Sequence, residues 1–519
     1  MVKIINPIQK GFYPDPSICR VSDDYYMVHS TFAYAPGIPV FKSRDLKNWT
    51  LIGHVLERKE QLQLSGARVS QGIYAPTIRY HNGLFYVIAT NVSAGGNFYV
   101  TATDPKGPWS DPVFLENAPG IDPSLYFEED TCYYIGQRTK EHPAYYGDCE
   151  IWIQELDIKE KKLVKQPVVL FDGSMKHTIW AEGPHLYKIR GMYYLLLAEG
   201  GTEFNHSVTV ARSQSLFGPY EACPNNPILT HRHLGHNYPV QCIGHGDLIE
   251  TPGNEWFMVM LGTRPFNGCA ELGRETFLAE VIWEDGWPVV SPGLGKVPEC
   301  LEFSTLEKEQ EVLPSEPDIQ WTDPLDMRLI GLRDHPSRLP IKITGDGSLQ
   351  LPYLPETIED LSVPAYVGTR LLSRTFHIRV LIESEPKGAE EAGLVYFYNE
   401  THYVKVVICE RDGQLEAVTT IRKGEDWEEK SRIEVTGKIH EIKLLGHDQA
   451  LSVEIDNRTT GQSFHIGDLC SQKAGGFTGC TVGVYASSVH ETSDRFAVFG
   501  PLHVRFFLIN PGYTSGEIL

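Results

Sequence analysis

The sequence predicts an all-β chain, a five-bladed β-propeller followed by a β-sandwich. A strand–turn–strand pattern recurs five times in the N-terminal part, and the rest alternates apolar and polar residues without helical periodicity. A chain of 519 residues exceeds the size of one hydrophobic core, so more than one domain is expected. We predict a propeller over residues 1–299, a charged linker over 300–318 and a sandwich over 319–519.

Each of the five repeats begins with a short turn motif, enters a strand, turns on polar residues or glycine, and returns as an aromatic strand. The aromatic markers of the returning strands are Tyr26, Tyr86, Tyr134, Tyr194 and Phe257, which are 60, 48, 60 and 63 residues apart. Units of about four strands at this period are typical of propeller blades. The first strand of every blade would then lie beside a central channel.

The turn motifs carry acidic residues into these first strands. We align Asp15, Ala75, Asp122, Glu182 and Asp247 at one repeat position, so that their side chains would face a common axis. Buried like charges are costly and tend to be kept where chemistry needs them. The alternative is that each Asp-Pro or Glu-Gly-Pro motif is an ordinary turn. The repeat favours a shared site, because it gives the acids one location.

Charge and cysteine content bound the class of protein. The net charge of −21 argues against nucleic acid and anionic membranes as partners and leaves neutral ligands.

The N-terminal segment lacks a signal-peptide core, which predicts a cytoplasmic location, and no apolar run is long enough to span a membrane. The ten cysteines are scattered without a CxxC pair, so we expect unpaired core residues.

The pattern of the C-terminal part predicts short strands, for example over 374–380 and 451–455, with frequent turns between them. Short alternating strands of this kind are typical of an antiparallel sandwich. Its residues do not distinguish a sugar-binding module from a structural buttress.

The motifs together resemble glycoside hydrolase family 43, the five-bladed propeller enzymes that act on pentose-containing polysaccharides. The residues that carry the resemblance are Phe12-Tyr13-Pro14-Asp15-Pro16-Ser17, Gly120-Ile121-Asp122-Pro123-Ser124-Leu125, Ala181-Glu182-Gly183-Pro184-His185-Leu186-Tyr187, Ala198-Glu199-Gly200-Gly201-Thr202, Gly244-His245-Gly246-Asp247-Leu248-Ile249-Glu250-Thr251 and Leu272-Gly273-Arg274-Glu275-Thr276-Phe277. In the second domain, Glu391-Ala392-Gly393-Leu394 and Phe477-Thr478-Gly479 resemble the family's concanavalin A-like jelly-roll sandwich.

The resemblance implies an exo-acting, inverting hydrolase of the β-xylosidase and α-L-arabinofuranosidase branch. Such an enzyme releases terminal α-L-arabinofuranose or β-D-xylose, or both, from hemicellulose-derived oligosaccharides or arabinoxylan. By its match to the family motifs, Asp15 is implied as general base, Asp122 as the carboxylate that tunes the acid, and Glu182 as general acid. Inversion requires the acid and the base about 6.5–9.5 Å apart, so that a water molecule fits between base and sugar.

The resemblance also implies residues that bind the sugar. Arg274 matches an arginine that hydrogen-bonds the terminal sugar, His245 a histidine near the funnel floor, and Phe32 and Tyr74 aromatic walls of the first subsite. No cluster has clear calcium-ligand spacing, so no cofactor is required and no metal ligand is assigned. The sequence leaves open whether a structural calcium ion is bound. It also leaves open whether the protein forms a homo-oligomer.

Two motifs depart from the β-xylosidases of this branch. Phe32-Ala33-Tyr34-Ala35-Pro36-Gly37 stands where those enzymes read Phe-Glu-Trp-Phe-Pro-Gly, and Tyr74 stands where they have Trp. Smaller walls should widen or reshape the pocket, which shifts the expectation modestly toward α-L-arabinofuranosidase activity.

Several alternatives stay open. They are a strict β-xylosidase, a non-catalytic sugar-binding propeller, a phosphorolytic enzyme and a retaining enzyme of the fructan-cleaving type. The phosphorolytic enzyme would need cationic groups beyond Arg274. The fructan-cleaving class opens with a Trp-Met-Asn-Asp-Pro-Asn motif, which Phe12-Tyr13-Pro14-Asp15-Pro16 does not match.

Overall fold

The computed structural model describes residues 2–175, 177–303 and 318–507. Most of the predicted linker, residues 304–317, lies outside the described residues. The described part is built almost entirely of strands, with one α-helix at Ser471–Ala474 and 3-10 turns at Arg232–Leu234 and Pro336–Arg338. None of its helices is long and apolar enough to cross a membrane. The all-β prediction is therefore confirmed.

The chain divides into two compact units. The first comprises Met1–Pro265 and Arg274–Glu311, and the second comprises Phe266–Gly273 and Val312–Leu519. The short segment Phe266–Gly273 thus belongs to the second unit, although the chain on either side of it belongs to the first.

Five antiparallel sheets make up most of the described part of the first unit. The strands of each follow one another in the chain, except that the short strand Tyr34–Ala35 is not part of the first sheet. Their strands are Ser17–Val21, Asp24–Val28, Gly37–Ser43 and Thr50–Leu56 in the first sheet; Thr77–His81, Leu84–Asn91, Gly96–Ala102 and Val113–Phe114 in the second; Ile121–Glu128, Thr131–Thr139, Cys149–Asp157 and Lys162–Phe171 in the third; Glu182–Ile189, Met192–Glu199, Ser207–Ser213, Glu221–Ala222 and Leu229–Thr230 in the fourth; and Gln241–Glu250, Trp256–Thr263, Glu275–Glu284 and Trp287–Val290 in the fifth. In addition, Val2–Ile5 pairs with Cys300–Phe303, near the two ends of this unit.

Local sequence explains these sheets. The second strands are rich in aromatic and aliphatic residues and almost wholly buried, as in Leu84–Asn91, because they pack on both faces. The hairpin before that strand turns on Asn82 and Gly83, whose φ angles of 49° and 82° suit the tight turns that Asn-Gly favours.

The first strands of the five sheets lie next to one another in a closed order. Ser17–Val21 contacts Thr77–His81, which contacts Ile121–Glu128; that strand contacts Glu182–Ile189, which contacts Gln241–Glu250, and this last strand contacts Ser17–Val21 again. The turn motifs at the starts of these strands are thereby gathered together.

The second unit contains two antiparallel sheets that share one hydrophobic core. The larger sheet comprises Lys342–Ile343, Leu349–Pro352, Phe496–Phe499, Thr375–Glu383, Ile439–His447, Ala450–Ile455, Arg458–Thr459, Phe464–His465 and His503–Phe507, and the smaller comprises Ala365–Arg370, Thr481–Ser487, Glu391–Asn399, His402–Arg411, Gln414–Lys423 and Asp426–Glu434. Along Thr375–Glu383 buried and exposed residues alternate, as expected of a strand with one face on the core.

One cysteine expectation is wrong. Cys269 and Cys470 form a disulfide within the second unit, although both were expected to be unpaired. Their separation of 201 residues hides the pairing from any reading of local spacing. The other cysteines are unpaired, and apart from Cys300 they are buried.

Candidate active site

Residues just before or within four of the five first strands share an unusual backbone conformation. Asp15, Asp122, Gly183 and His245 have φ angles of 52°, 53°, 56° and 51°. Positive φ is uncommon for residues other than glycine, and it tends to persist where function requires it. At Gly183 a side chain would crowd the imidazole of His245, because a Cβ there would lie 3.0 Å from Cε1 of the ring. Four of the five repeats therefore have the same backbone conformation at this position.

Strand register corrects the alignment of Asp247. Ser17 pairs with Val28 and Asp247 with Val259, and each partner lies two residues after its aromatic marker. Asp247 is thus equivalent to Ser17, and His245 takes the position of Asp15. The error is two residues, because Asp247 lies 10 residues before Phe257 whereas His245 lies 12 residues before it.

The fourth repeat needs a smaller correction. His185 pairs with Leu196, two residues after Tyr194, so Gly183 takes the position of Asp15. Glu182 lies one residue earlier.

The Asp15 carboxylate is buried and firmly held. It exposes only 4% of its surface. The hydroxyl of Ser30 donates to Oδ2, and Arg274 donates from Nη1 to Oδ1 at 2.9 Å and from Nη2 to Oδ2 at 3.4 Å. A forked arginine contact of this type fixes both position and orientation of a carboxylate. Nδ1 of His245 lies 3.9 Å from Oδ1.

Asp122 and Glu182 bind protons more tightly than ordinary carboxylates. Burial raises the pKa of Asp122 to about 6; the charge of Asp15 adds to the rise, while His245 and Arg274 oppose it. The backbone N–H of Gly183 also donates to Asp122. Burial raises the pKa of Glu182 well above its ordinary value, and the negative charges of Asp122 and Asp15 raise it further. The site therefore contains a carboxyl group that keeps its proton to a higher pH than an ordinary glutamate does.

Arg274 connects the carboxylates to the aromatic residues. Its Nη1 also donates to Oγ1 of Thr202 at 3.0 Å, and its guanidinium carbon lies 5.6 Å from the ring centroid of Phe32. The Phe32 and Tyr74 rings are 5.2 Å apart. Burial, followed by the nearby carboxylates, raises the pKa of Tyr74, which places this ring beside the acidic cluster.

All seven predicted site residues thus belong to one constellation, but they differ in exposure. Phe32 exposes only 2% of its surface, so it mainly supports Tyr74 and Arg274, whereas Tyr74 is half-buried. Ala33 and Ala35 are completely buried. The expectation that they widen the pocket is therefore wrong, because they offer no surface to a ligand. Within the described residues, no group of three or more His, Cys, Asp or Glu side chains could hold a metal ion.

The fifth acid, Asp247, has a structural environment. It is completely buried and accepts hydrogen bonds from Ser17 Oγ at 2.7 Å, Arg79 Nη1 at 3.0 Å and the Tyr187 hydroxyl. These partners come from the first, second and fourth sheets. The Arg79 charge and the hydrogen bonds outweigh burial and hold the pKa of Asp247 well below its usual range. Asp247 therefore joins the sheets rather than the carboxylate cluster.

We predict that Asp247→Asn lowers the free energy of unfolding of the first unit by about 3–5 kcal/mol, because it breaks a buried ion pair and leaves the charge of Arg79 poorly compensated. Urea unfolding followed by circular dichroism measures the change. Asp23→Asn, at an exposed turn, should change the free energy of unfolding by less than about 0.5 kcal/mol. An Asp247→Asn variant as stable as Asp23→Asn would contradict the structural role.

Comparison with known proteins bears on this constellation. Residues 4–288 match the family described as glycosyl hydrolases family 43. This chain belongs to that family. Residues 324–505 match the family described as beta xylosidase C-terminal concanavalin A-like domain. The resemblance seen in the sequence is confirmed, and the chain is a glycosidase that hydrolyses O-glycosyl bonds.

Relatives of this family 43 enzyme span both units. A xylosidase/arabinosidase of Butyrivibrio fibrisolvens is 44% identical over 511 residues, covering 96% of this chain and 98% of that protein. A non-reducing end alpha-L-arabinofuranosidase of Bacteroides ovatus is 36% identical, with coverage of 95% and 93%. The crystal structure of a xylan beta-1,4-xylosidase from Bacillus halodurans superimposes with a TM-score of 0.89 at 32% identity, covering 97% of this chain and all of that one.

Sequence reasoning missed some parts of the family 43 site. The equivalence of His245 to Asp15 in the repeat could have been found, because His245 lies 12 residues before Phe257, the same spacing as Asp122 to Tyr134. Thr202 belongs to one of the motifs that resemble the family, but no neighbouring residue indicates that it accepts a hydrogen bond from Arg274. The contact of Ser30 with Asp15 likewise has no sequence signal.

Proposed function

We propose that this chain is an exo-acting, inverting glycoside hydrolase that releases terminal α-L-arabinofuranose, β-D-xylose or both from hemicellulose-derived oligosaccharides or arabinoxylan. The observation that carries the proposal is the buried trio of Asp15, Asp122 and Glu182, in which one carboxylate is clamped by Arg274 and another has a strongly raised pKa. The names of the relatives, which refer to xylosidase, arabinosidase and arabinofuranosidase, support the choice of sugar.

The architecture proposed for the first unit is a five-bladed propeller, with a concanavalin A-like sandwich as the second domain. Five consecutive sheets whose first strands contact one another in a closed order support the propeller. In such an arrangement the trio lies at one end of the central channel. A pocket there holds the single terminal sugar that exo action requires.

In the proposed reaction Asp15 takes a proton from a water molecule while the water oxygen bonds to the anomeric carbon. Glu182 gives its proton to the glycosidic oxygen as the bond from that oxygen to the anomeric carbon breaks. The products are a pentose of inverted configuration and a leaving group with a free hydroxyl. Protons then exchange with water to restore both carboxyl groups.

The other residues prepare these two steps. Arg274 orients Asp15 and offers donors to the terminal sugar, while the negative charge of Asp122 helps to keep Glu182 protonated. His245 lies between Asp15 and Gly183, where it lines the floor of the pocket. Tyr74 forms a wall.

The preference between the two sugars is testable with a pair of aryl glycosides. We expect higher kcat/KM on the α-L-arabinofuranoside than on the β-D-xyloside, because the shorter Tyr74 stands in place of a tryptophan wall. Measurement of kcat/KM on both 4-nitrophenyl glycosides checks this. A much higher kcat/KM on the β-D-xyloside would support the alternative, a strict β-xylosidase.

The charge of Asp122 should set the pH range of activity. Glu182 acts in its protonated form, so activity falls as pH rises through its pKa. Asp122→Asn removes a negative charge that raises this pKa, and the alkaline limb of kcat/KM should therefore move to lower pH. A pH–rate profile of the variant measures the shift, and an alkaline limb left in place would contradict the tuning role.

A further inference from the structure

Two aromatic residues that contact each other, Trp180 and Tyr146, have no part in the proposed reaction. Trp180 lies two residues before Glu182 in the chain, and Tyr146 belongs to the loop between the second and third strands of the third sheet. Their rings meet edge to face, with centroids 5.4 Å apart and planes at 90°. Tyr146 exposes 82% of its surface. A large, exposed aromatic side chain next to a candidate active site is a feature that binding can explain.

Two glycines lie close to the indole of Trp180. The backbone N–H of Trp180 donates a hydrogen bond to the backbone carbonyl of Gly147 at 2.8 Å. A Cβ at Gly147 would lie 3.2 Å from the indole Nε1, and one at Gly201 would lie 3.4 Å from Cδ1. Both glycines have positive φ, 79° and 73°, a conformation that favours glycine. The ring therefore has a defined position.

The loop that carries Tyr146 is also well bonded. The backbone N–H of Ala144 donates to Oδ2 of Asp148 at 2.9 Å, and the hydroxyl of Tyr145 donates to the carbonyl of Thr178 at 2.9 Å. These bonds fix the residues on both sides of Tyr146. Its exposure is thus a property of an ordered loop, which presents the ring to solvent.

The chain links this aromatic pair to both halves of the site. Gly201, against which the indole lies, precedes Thr202, whose hydroxyl accepts a hydrogen bond from Arg274. On the other side Trp180 leads directly into Glu182. In the proposed reaction Glu182 protonates the leaving group, so we assign the chain that leads into Glu182 to the leaving-group side of the scissile bond.

We propose that Trp180 and Tyr146 form a platform that binds the sugars of the leaving group. The half-buried Trp180 takes the first leaving-group sugar, and the exposed Tyr146 takes the next one. Apolar aromatic faces pack on the C–H faces of neutral sugars, while the indole N–H and the phenol hydroxyl serve as hydrogen-bonding groups. The inference rests on the proposed function, because the role of Glu182 defines the leaving-group side. A substrate that contacts both rings has at least three sugar units.

The test compares substrates with zero, one and two leaving-group sugars. They are the glycosyl fluoride, the disaccharide and the trisaccharide of the pentose that the wild-type enzyme releases. Trp180→Ala should lower kcat/KM about 10-fold on both oligosaccharides, mainly through KM. Tyr146→Ala should lower it about 3-fold on the trisaccharide alone. Neither variant should change kcat/KM on the fluoride, or inhibition by the free pentose, more than about 2-fold.

Two further variants serve as controls. Phe217→Ala removes another exposed aromatic ring of the same unit, 49% exposed and in contact with Tyr133, and should leave all three substrates unaffected. Trp180→Phe keeps an aromatic face and should retain most oligosaccharide activity. Equal losses of Trp180→Ala on the fluoride and the trisaccharide, or a Tyr146→Ala variant indistinguishable from Phe217→Ala, would overturn the platform. Failure of the wild-type enzyme to cleave any pentose oligosaccharide would instead refute the proposed function itself.

Discussion

Replacement of Glu182 by glutamine is expected to lower kcat/KM on a pentose disaccharide by about 10²- to 10⁴-fold. Glutamine preserves the size of the side chain, but its amide has no acidic proton to give to the glycosidic oxygen. The loss should depend on the leaving group. Fluoride departs without a proton, so the glycosyl fluoride should retain most of its wild-type kcat/KM.

Steady-state kinetics on the two substrates measure this dependence. Glu160→Gln, which changes an exposed glutamate in the turn between the last two strands of the third sheet, provides the matched control and should behave as wild type on both. Equal losses of Glu182→Gln on the disaccharide and the fluoride would show that Glu182 does not act as the acid. Retention of sugar binding in a wild-type chain that hydrolyses nothing would favour the sugar-binding propeller.

Asp15→Asn should lower activity in a different pattern. Every substrate needs an activated water molecule, so the loss of about 10²- to 10⁴-fold should apply equally to the disaccharide and the glycosyl fluoride. Asparagine keeps the shape of the side chain and can still contact Arg274, and the free pentose should still bind. Kinetics on both substrates, together with inhibition by the pentose, check the prediction.

The two variants are most informative as a pair. If Asp15→Asn spares the fluoride while Glu182→Gln does not, the two carboxylates have exchanged roles. Ser30→Ala, which removes one hydrogen bond to Asp15, should cause a much smaller loss that is also equal for both substrates.

The trio could be predicted from sequence because its motifs recur at a constant distance from aromatic strands. Asp15 and Asp122 precede Pro-Ser in two repeats, and Glu182 precedes Gly-Pro in a third. The same logic was misapplied at Asp247, which lies 10 residues before its aromatic marker, although His245 has the 12-residue spacing of Asp122.

Contacts between residues far apart in the chain could not be predicted from the sequence. The disulfide between Cys269 and Cys470 joins residues 201 positions apart, and the bond of Arg274 to Asp15 spans 259 positions. Side-chain burial was also hidden, as the complete burial of Ala33 and Ala35 illustrates. The cytoplasmic location and the absence of a required cofactor stay predictions.

The central claim is that Asp15 activates water on one face of the sugar while Glu182 protonates the leaving group on the other. Proton NMR of a fresh digest, recorded before the released pentose mutarotates, tests it most directly. The claim predicts that the first anomer to accumulate has the configuration opposite to that of the substrate. A first-formed pentose of retained configuration would contradict it, since retention requires a carboxylate that bonds to the sugar.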